Sequence, residues 1–272
     1  MTFATYETSL DQGEPILLFD FSVGTLHFRY TTADRDILFG TDTYISVPIS
    51  RAAIKQGSEI KQQTLKVTGP RDLSVAALFA TEPPSAAIAL TITAFHYTDS
   101  AHQGVVDWIG RVLAAKWTGS NVELMCEPVY TSVQTMGLRR RFQISCPHVL
   151  YGVQCTVAPA AHAVPGTLTA ISGFAISAAA WASPPAGLSF AGGFVTWDSG
   201  NGYLERRTIN SVSGGTLTLD NIGPGLAVGV VVTAYPGCNR TMTNCTSFSN
   251  LLNYGGQPYI PTVNPMNGNP VY

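Results

Sequence analysis

Residues 146–155 read Cys-Pro-His-Val-Leu-Tyr-Gly-Val-Gln-Cys, and residues 238–245 read Cys-Asn-Arg-Thr-Met-Thr-Asn-Cys. These two segments hold four of the five cysteines of the chain, and more than eighty residues lie between them. Cysteines paired in this way close a long loop, through two disulfides, a zinc ion or an iron–sulfur cluster. The choice among these three decides how the second half of the chain is held together.

The spacing within each pair does not select one of them. Eight residues separate Cys146 from Cys155 and six separate Cys238 from Cys245, whereas zinc ligands usually pair two to four residues apart. The Cys-x-x-Cys spacing of common ferredoxins is absent as well. Residues 1–7 show no basic segment followed by an apolar core, so we expect no signal peptide and a reducing cytosol, which disfavours disulfides. A metal or cluster site, disulfides and unliganded cysteines all stay open at this point.

Composition predicts a mainly β protein. Charged residues make up 12% of the 272 residues, about half the usual share, while Gly and Pro contribute 26 and 17 residues. Turn formers and β-branched residues at this density are typical of short strands joined by tight turns. The net charge of −2 gives no electrostatic surface for nucleic acid, and no run of about twenty apolar residues predicts a membrane span.

Alternating apolar residues predict a β-rich domain with short helices over residues 1–130. Residues 16–21 and 26–30 read as a hairpin, and residues 39–45 contain a further turn between strands. More strands are predicted over residues 60–67, 87–96, 105–115 and 121–127, and a short helix over residues 73–79.

The composition changes between the cysteine pairs, because residues 156–197 contain no Asp, Glu, Lys or Arg. Strands are predicted over residues 190–197, 203–209, 216–219 and 228–234, with glycine-rich turns between them. We therefore expect a small β-barrel or sandwich over residues 156–235. It would be inserted into a discontinuous cysteine domain of residues 131–155 plus 236–272, whose last eleven residues we expect to be flexible.

Two further motifs flank the cysteines. Gly237 precedes Cys238, and the segment after Cys245 reads Phe-x-Asn-x-x-Asn-Tyr-Gly-Gly-x-Pro-x-Ile-Pro over residues 248–261. Together with Cys-Pro-His-x-Leu-Tyr-Gly-x-x-Cys, this combination resembles the phage conserved family BR0599, also known as DUF2163, whose members lie in tail gene clusters of siphophages and gene transfer agents. The cysteine spacings are also similar to those of the minor tail protein L family of lambda-like phages. The likeness is good over the C-terminal half and looser over the N-terminal domain, and the long insertion between the pairs departs from the lambda-like pattern.

This resemblance implies a structural protein of the virion tail tip, or baseplate hub, that is assembled in the bacterial cytoplasm. It implies a [4Fe–4S] cluster ligated by Cys146, Cys155, Cys238 and Cys245, with zinc as the alternative metal. It also implies a homotrimer that contacts the distal tail protein and the central fibre or receptor-binding hub protein, with the tape measure protein as a further partner. Two other functions stay open: an electron-transfer protein, and a zinc-stapled module that binds a host surface.

Other residues carry weaker signals. Cys126 shares a strand face with Val122 and Leu124, which favours a buried core cysteine, and His148 is expected to pack beside the cysteines without ligating. A run of three arginines at 139–141 is interpreted as solvated or partner-facing, with the further hypothesis that it offsets the charge of a cluster.

Enzymatic motifs are missing from the sequence. We find no zincin, nucleophile-elbow, Walker or dinucleotide-binding pattern, so no enzyme is expected. Asp198 and Glu205 could pair as hydrolase carboxylates, but ordinary surface acids on a hairpin explain them more simply.

Overall fold

The computed structural model describes residues 3–9, 11, 13–55, 64–80, 83–133, 137, 142–200 and 202–261. The chain forms two compact units. The first comprises Met1–Thr135 with Gly200–Tyr203, and the second comprises Met136–Ser199 with Leu204–Tyr272. Within the described residues no helix is long and apolar enough to cross a membrane.

The first unit is built on a nine-stranded sheet with the order β3-β4-β2-β1-β7-β8-β9-β6-β5. All its neighbouring strands are antiparallel except β2 and β4, which run parallel. The strands are β1 Pro15–Val23, β2 Leu26–Thr31, β3 Ile37–Phe39, β4 Asp42–Ser46, β5 Ser50–Arg51, β6 Leu65–Pro70, β7 Ile88–His96, β8 Val105–Thr118 and β9 Asn121–Pro128. Two short helices, α1 Phe3–Glu7 and α2 Ser74–Ala77, and a 3-10 turn at Val129–Val133 complete the unit.

Alternation of side chains explains why these segments pair as they do. In β9, Val122, Leu124 and Cys126 are fully buried, and their neighbours along the strand point away from the core. The predicted hairpin is confirmed, since Val23 pairs with Leu26 across a two-residue turn in which Gly24 has φ of +58°. The predicted strand over residues 60–67 falls partly on residues 60–63, which lie outside the described residues.

The second unit contains a seven-stranded antiparallel sheet with the order β10-β16-β13-β14-β15-β12-β11. Its strands are β10 Val164–Thr167, β11 Ala170–Ser172, β12 Ala175–Ser177, β13 Ser189–Asp198, β14 Leu204–Ser213, β15 Thr216–Leu219 and β16 Val231–Gly237. Strands β12 to β16 contribute fully buried side chains to one cluster that includes Trp181, Trp197 and Phe190, and Val164 of β10 and Ile171 of β11 pack against it. The mainly β fold class is therefore confirmed, while the finer division of this half into a cysteine domain and an inserted domain stays a prediction.

Two charged residues inside this core, Glu205 and Arg207, contradict one prediction made from the sequence. Asp198 is exposed, as expected of a surface acid, but Glu205 is fully buried and its carboxylate lies 2.9 Å from the guanidinium of Arg207. Expecting Glu205 to be a surface acid was wrong, because inward-facing positions of β14 include Glu205, Arg207 and Ile209 in alternation. A buried charge of this kind is tolerated only when it is paired.

Short turns and one helix complete the second unit. 3-10 turns span Pro159–His162, Ala179–Ala182 and Leu251–Asn253, and helix α3 covers Met242–Ser247. The sequence did not predict α3, which begins after Thr241, whose hydroxyl accepts a hydrogen bond from the Asn244 N–H at 3.2 Å. This cap places Cys245 inside a helical turn and holds its thiol on the buried side.

Candidate functional site

Four cysteines from the two separated segments line one cavity in the second unit. The cavity has a volume of about 240 Å³, and its walls include Cys146, Cys155, Cys238 and Cys245. All five cysteines of the chain are free thiols, so no disulfide connects them. The structure thus brings together the four residues that the sequence singled out, although they come from positions about a hundred residues apart.

Nitrogen donors point at three of the four sulfur atoms. The Gly255 N–H donates to Cys146 Sγ at 3.4 Å, the Arg240 N–H donates to Cys238 Sγ at 3.3 Å, and the Asn250 side-chain amide lies 3.6 Å from Cys155 Sγ. The Cys245 thiol donates to the Asn250 carbonyl at 3.1 Å. Hydrogen bonds of the N–H···S kind stabilise thiolate ligands and are a recurrent feature around iron–sulfur clusters.

The cysteines of the cavity do not form a mononuclear metal site in this arrangement. In the part of the chain that the structure describes, no three His, Cys, Asp or Glu side chains converge closely enough to hold one metal ion. A zinc site requires four ligand atoms at about 2.0–2.3 Å from one point. The four cysteines thus line one cavity without three of them converging on a single point.

Burial and neighbouring charges raise the pKa values of two thiols and one hydroxyl in this cavity. Burial raises the pKa of the Cys238 thiol, against which the Arg240 N–H acts in the lowering direction, and the nearby Cys155 and Cys146 raise it further. Burial and the same neighbours also raise the pKa of Cys245. Burial followed by the charges of Cys155 and Cys238 raises the pKa of the Tyr151 hydroxyl well above its ordinary range. A cation bound between the sulfurs would remove this mutual repulsion.

The segment after Cys245 ties the two cysteine pairs to each other. The Asn250 amide donates to the Cys155 carbonyl, and the Asn253 amide donates to the Thr156 hydroxyl at 2.9 Å. The Tyr254 hydroxyl donates to the Ile144 carbonyl at 2.9 Å, and the Cys146 N–H donates to the Arg240 carbonyl at 3.0 Å. Asn250, Asn253 and Tyr254 of the motif over residues 248–261 therefore hold the cysteine loops in place.

His148 lines the cavity and is fixed from two sides. Its Nδ1 lies 3.1 Å from the Asn253 carbonyl, which requires the proton on Nδ1. A Cβ at Gly255 would lie 2.5 Å from the ring, so only glycine permits this approach. His148 therefore lies beside the cysteines with its ring held by Asn253 and Gly255.

An aromatic group supports the loop between Cys146 and Cys155. Tyr151, with φ of +60°, donates its hydroxyl to the Pro236 carbonyl at 2.9 Å and packs edge-on against Phe194, Tyr235 and Phe248. Because Pro236 lies two residues before Cys238, this ring links the first cysteine segment to the strand that delivers the second.

Two further sequence signals are Cys126 and the arginine run at 139–141. Cys126 is buried in the core of the first unit and does not contribute to the site, as expected from its strand face. The arginines at 139–141, together with the hypothesis built on them, lie outside the described residues. Two other arginines, Arg206 and Arg240, do line the cavity and were missed by sequence reasoning.

Comparisons with known proteins give the family. A family model described as "Baseplate hub protein, N-terminal attachment domain" matches residues 19–158, which are 140 of the 272 residues. The chain belongs to this baseplate hub family. A second family model, "Phage conserved hypothetical protein BR0599", matches residues 188–264. The first cysteine pair of this hub protein thus falls in one matched range and the second pair in the other, and the predicted resemblance to BR0599 is confirmed.

Two further comparisons show similarity in sequence and in fold. An uncharacterized protein of Xylella fastidiosa (strain 9a5c) is 29% identical over 180 residues, which cover 61% of this chain. The chain spans only 37% of the length of that relative. In fold, the chain is similar to a chain of the structure "Virion of native gene transfer agent (GTA) particle", with a TM-score of 0.79, 17% identity and coverage of 99% of this chain and 96% of the other.

Proposed function

We propose that this hub protein is a structural subunit of a phage-type tail tip whose second unit is held together by a [4Fe–4S] cluster. Cys146, Cys155, Cys238 and Cys245 are the proposed ligands. The observation that carries the proposal is their shared cavity, in which N–H groups point at the sulfur atoms of Cys146, Cys155 and Cys238. Family membership supports the assembly role, and its structural character favours a non-enzymatic protein.

The proposed role of the cluster is mechanical. When bound, it supplies four iron–thiolate bonds that cross-link two segments of the chain, and ligation free energy is then folding free energy. The residues of the chain position the ligands: Asn250, Asn253 and Tyr254 hold the loops together, and Tyr151 anchors the first loop near the second.

The assembly part of the proposal follows the family resemblance. We propose that three copies form a ring between the distal tail protein and the central fibre or receptor-binding hub protein, with the tape measure protein as a further neighbour. Virions of gene transfer agents contain a chain of the same fold, which supports a place in a particle of that type.

Anaerobic purification tests the cluster. We expect a brown protein whose visible absorption is bleached by dithionite and which contains about four irons per chain. Each of the four ligand Cys→Ser variants should lose the colour, whereas Cys126→Ser should keep it, because Cys126 lies in the core of the first unit. Stoichiometric zinc without iron would refute the cluster.

Incorporation into particles tests the structural role. Variants that lose the iron should also be missing from purified tails when they are supplied in place of the natural chain. Tails that assemble normally around an iron-free variant would show that the cluster does not hold the hub together. Tails that assemble normally without this chain at all would contradict the hub assignment itself.

A further inference from the structure

The cysteine cavity has a cationic wall. Its lining includes two arginines, Arg206 and Arg240, and no aspartate or glutamate among the residues that the structure describes there. The two arginines come from different elements, β14 and the loop that follows Cys238.

Sheet geometry places Arg206 at this wall. Thr196 pairs with Arg206 and Phe194 pairs with Thr208, so Phe194, Arg206 and Thr208 share the face of β13 and β14 that is opposite to the core. The guanidinium carbon of Arg206 lies 3.5 Å from the centroid of the Phe194 ring. Such stacking restricts the side chain and holds its charge beside the cavity.

Backbone hydrogen bonds hold Arg240 at the same wall. Its N–H donates to Cys238 Sγ at 3.3 Å, and its carbonyl accepts from the Cys146 N–H at 3.0 Å and from the Tyr254 hydroxyl at 3.3 Å. Arg240 has φ of +63°, a left-handed conformation that a non-glycine residue adopts only when its surroundings enforce it. The residue is thus bonded to both cysteine segments.

We propose that the positive charges of Arg206 and Arg240, held at the wall of the cavity, stabilise the reduced state of the cluster that the four cysteines bind. A thiolate-ligated cluster carries net negative charge, and the addition of one electron makes it more negative. Nearby positive charge stabilises the more negative state, which raises the reduction potential. This inference rests on the proposed cluster, and it identifies the charges that set the redox behaviour of the site.

The strength of this interaction depends on the solvent. Both arginines are exposed, so salt partly screens their charge. The effect of the arginines on the cluster should accordingly decrease as ionic strength rises, whereas a role that depends only on packing would not change with salt.

A titration of the purified holoprotein with dithionite, followed by visible absorption, tests the proposal. Arg206→Gln and Arg240→Gln should each shift the midpoint potential to more negative values, and the double variant should shift it further. The lysine variants at both positions should restore most of the potential, since they keep the charge. Arg35→Gln, which removes an exposed arginine from the first unit, is the matched control and should leave the midpoint unchanged.

A second measurement uses the metal-free protein and does not require a cluster. A dianionic aromatic disulfide and a neutral dipyridyl disulfide react with the same thiols, and the ratio of their rates reports the local charge. The Arg206→Gln/Arg240→Gln variant should lower the preference for the anionic reagent by about tenfold. Arg35→Gln should not lower it.

The outcomes separate the two proposals. A protein without iron refutes the cluster, and the thiol rates then decide whether the cationic wall exists. A protein with iron whose midpoint potential and thiol rates are the same in the glutamine variants overturns the role of the arginines and leaves the cluster intact. Equal shifts in Arg35→Gln would likewise overturn it, because the effect would then follow net charge and not position.

Discussion

Cys126 and the cavity cysteines show how burial decides the chemistry of one residue type. Cys126 is fully buried between Val122, Leu124 and their neighbours, and its thiol has only a long contact of 3.8 Å to the Leu124 carbonyl. Burial raises the pKa of Cys126 to about 12. Since the thiolate is the reactive form, this cysteine behaves as a small apolar side chain.

Thiol modification should distinguish Cys126 from the others. In native, metal-free protein at pH 8, we expect iodoacetamide to label the partly exposed Cys155 and Cys238 and to leave Cys126 unlabelled. Denaturation should expose it to the reagent. Peptide mapping by mass spectrometry checks both results, and native labelling of Cys126 would show that the core of the first unit opens readily.

The Cys126 thiol also makes the stability of the fold depend on pH. Below about pH 9, the ordinary value for this thiol, the folded and unfolded chains both hold the proton. Between pH 9 and about pH 12 the unfolded chain releases it first, so this contribution to the free energy of unfolding falls as pH rises. Cys126→Ala should remove this part of the pH dependence and cost about 1 kcal/mol at pH 7 in urea unfolding.

At the scale of elements, the site depends on three segments that meet through hydrogen bonds. Hydrogen bonds connect these segments, which are the loop from Cys146 to Cys155, the end of β16 with helix α3, and the segment 248–261. None of the three is a long regular element, so their geometry depends on side-chain amides and on glycines that allow close approach. Gly255 is one of these positions, because a Cβ there would meet the His148 ring at 2.5 Å.

Gly255→Ala should therefore loosen the site without affecting the sheets. The methyl group must displace His148 or shift the Gly255 N–H away from Cys146 Sγ, and we expect a loss of about 1–3 kcal/mol in stability together with faster loss of iron. Gly69→Ala is the matched control, since its Cβ would meet Leu73 at an ordinary 3.4 Å. Equal iron retention in the two variants would contradict the role of this contact.

The sequence predicted the elements whose side chains alternate and missed those without such a pattern. Thr216–Leu219 is observed as predicted, and β7 and β9 differ from prediction by about one residue. Strands β10–β12 were missed because residues 156–197 are rich in Ala, Gly, Pro and Ser, whose side chains give little contrast between buried and exposed positions.

The residues of the candidate site also differ in whether the sequence could identify them. The four cysteines were identifiable from their spacing and the surrounding motif. Arg206 was not, because its place at the cavity follows from the register of β13 against β14 and from the face that Glu205 and Arg207 take up in the core. Long-range register is not encoded in any short stretch of the chain.

On the scale of the whole molecule, charge is unevenly distributed along the sequence. From Phe142 to Trp197 and from Thr241 to the C-terminus there is no Asp, Glu, Lys or Arg. The same segments expose large apolar side chains around the cysteine loops, namely Phe142 at 80%, Val149 at 73%, Val153 at 96%, Leu252 at 101% and Tyr259 at 88%. Exposed apolar surface of this extent is typical of contacts between proteins, which suits a chain that works inside an assembly.

Aspartate at this surface should exclude the protein from particles. We expect Val153→Asp/Leu252→Asp to fold and to retain iron, since both side chains are almost fully exposed, but to be depleted in purified tails because it would place charge in an apolar contact with a neighbouring chain. Val228→Asp, at 63% exposure and outside the cysteine loops, should assemble normally. Equal incorporation of both variants, measured by quantitative immunoblot, would show that no partner covers the loops.

The separation of the two cysteine pairs along the chain has a consequence for synthesis. The bond from Gly255 to Cys146 joins residues 109 positions apart, and the contact from Asn250 to Cys155 spans 95 positions. The second cysteine pair is therefore synthesised more than eighty residues after the first, and the contacts between the pairs form only after residue 255 has been added. A product that terminates before Cys238 lacks two of the four proposed ligands, so binding of the proposed cluster would require that both segments have been made.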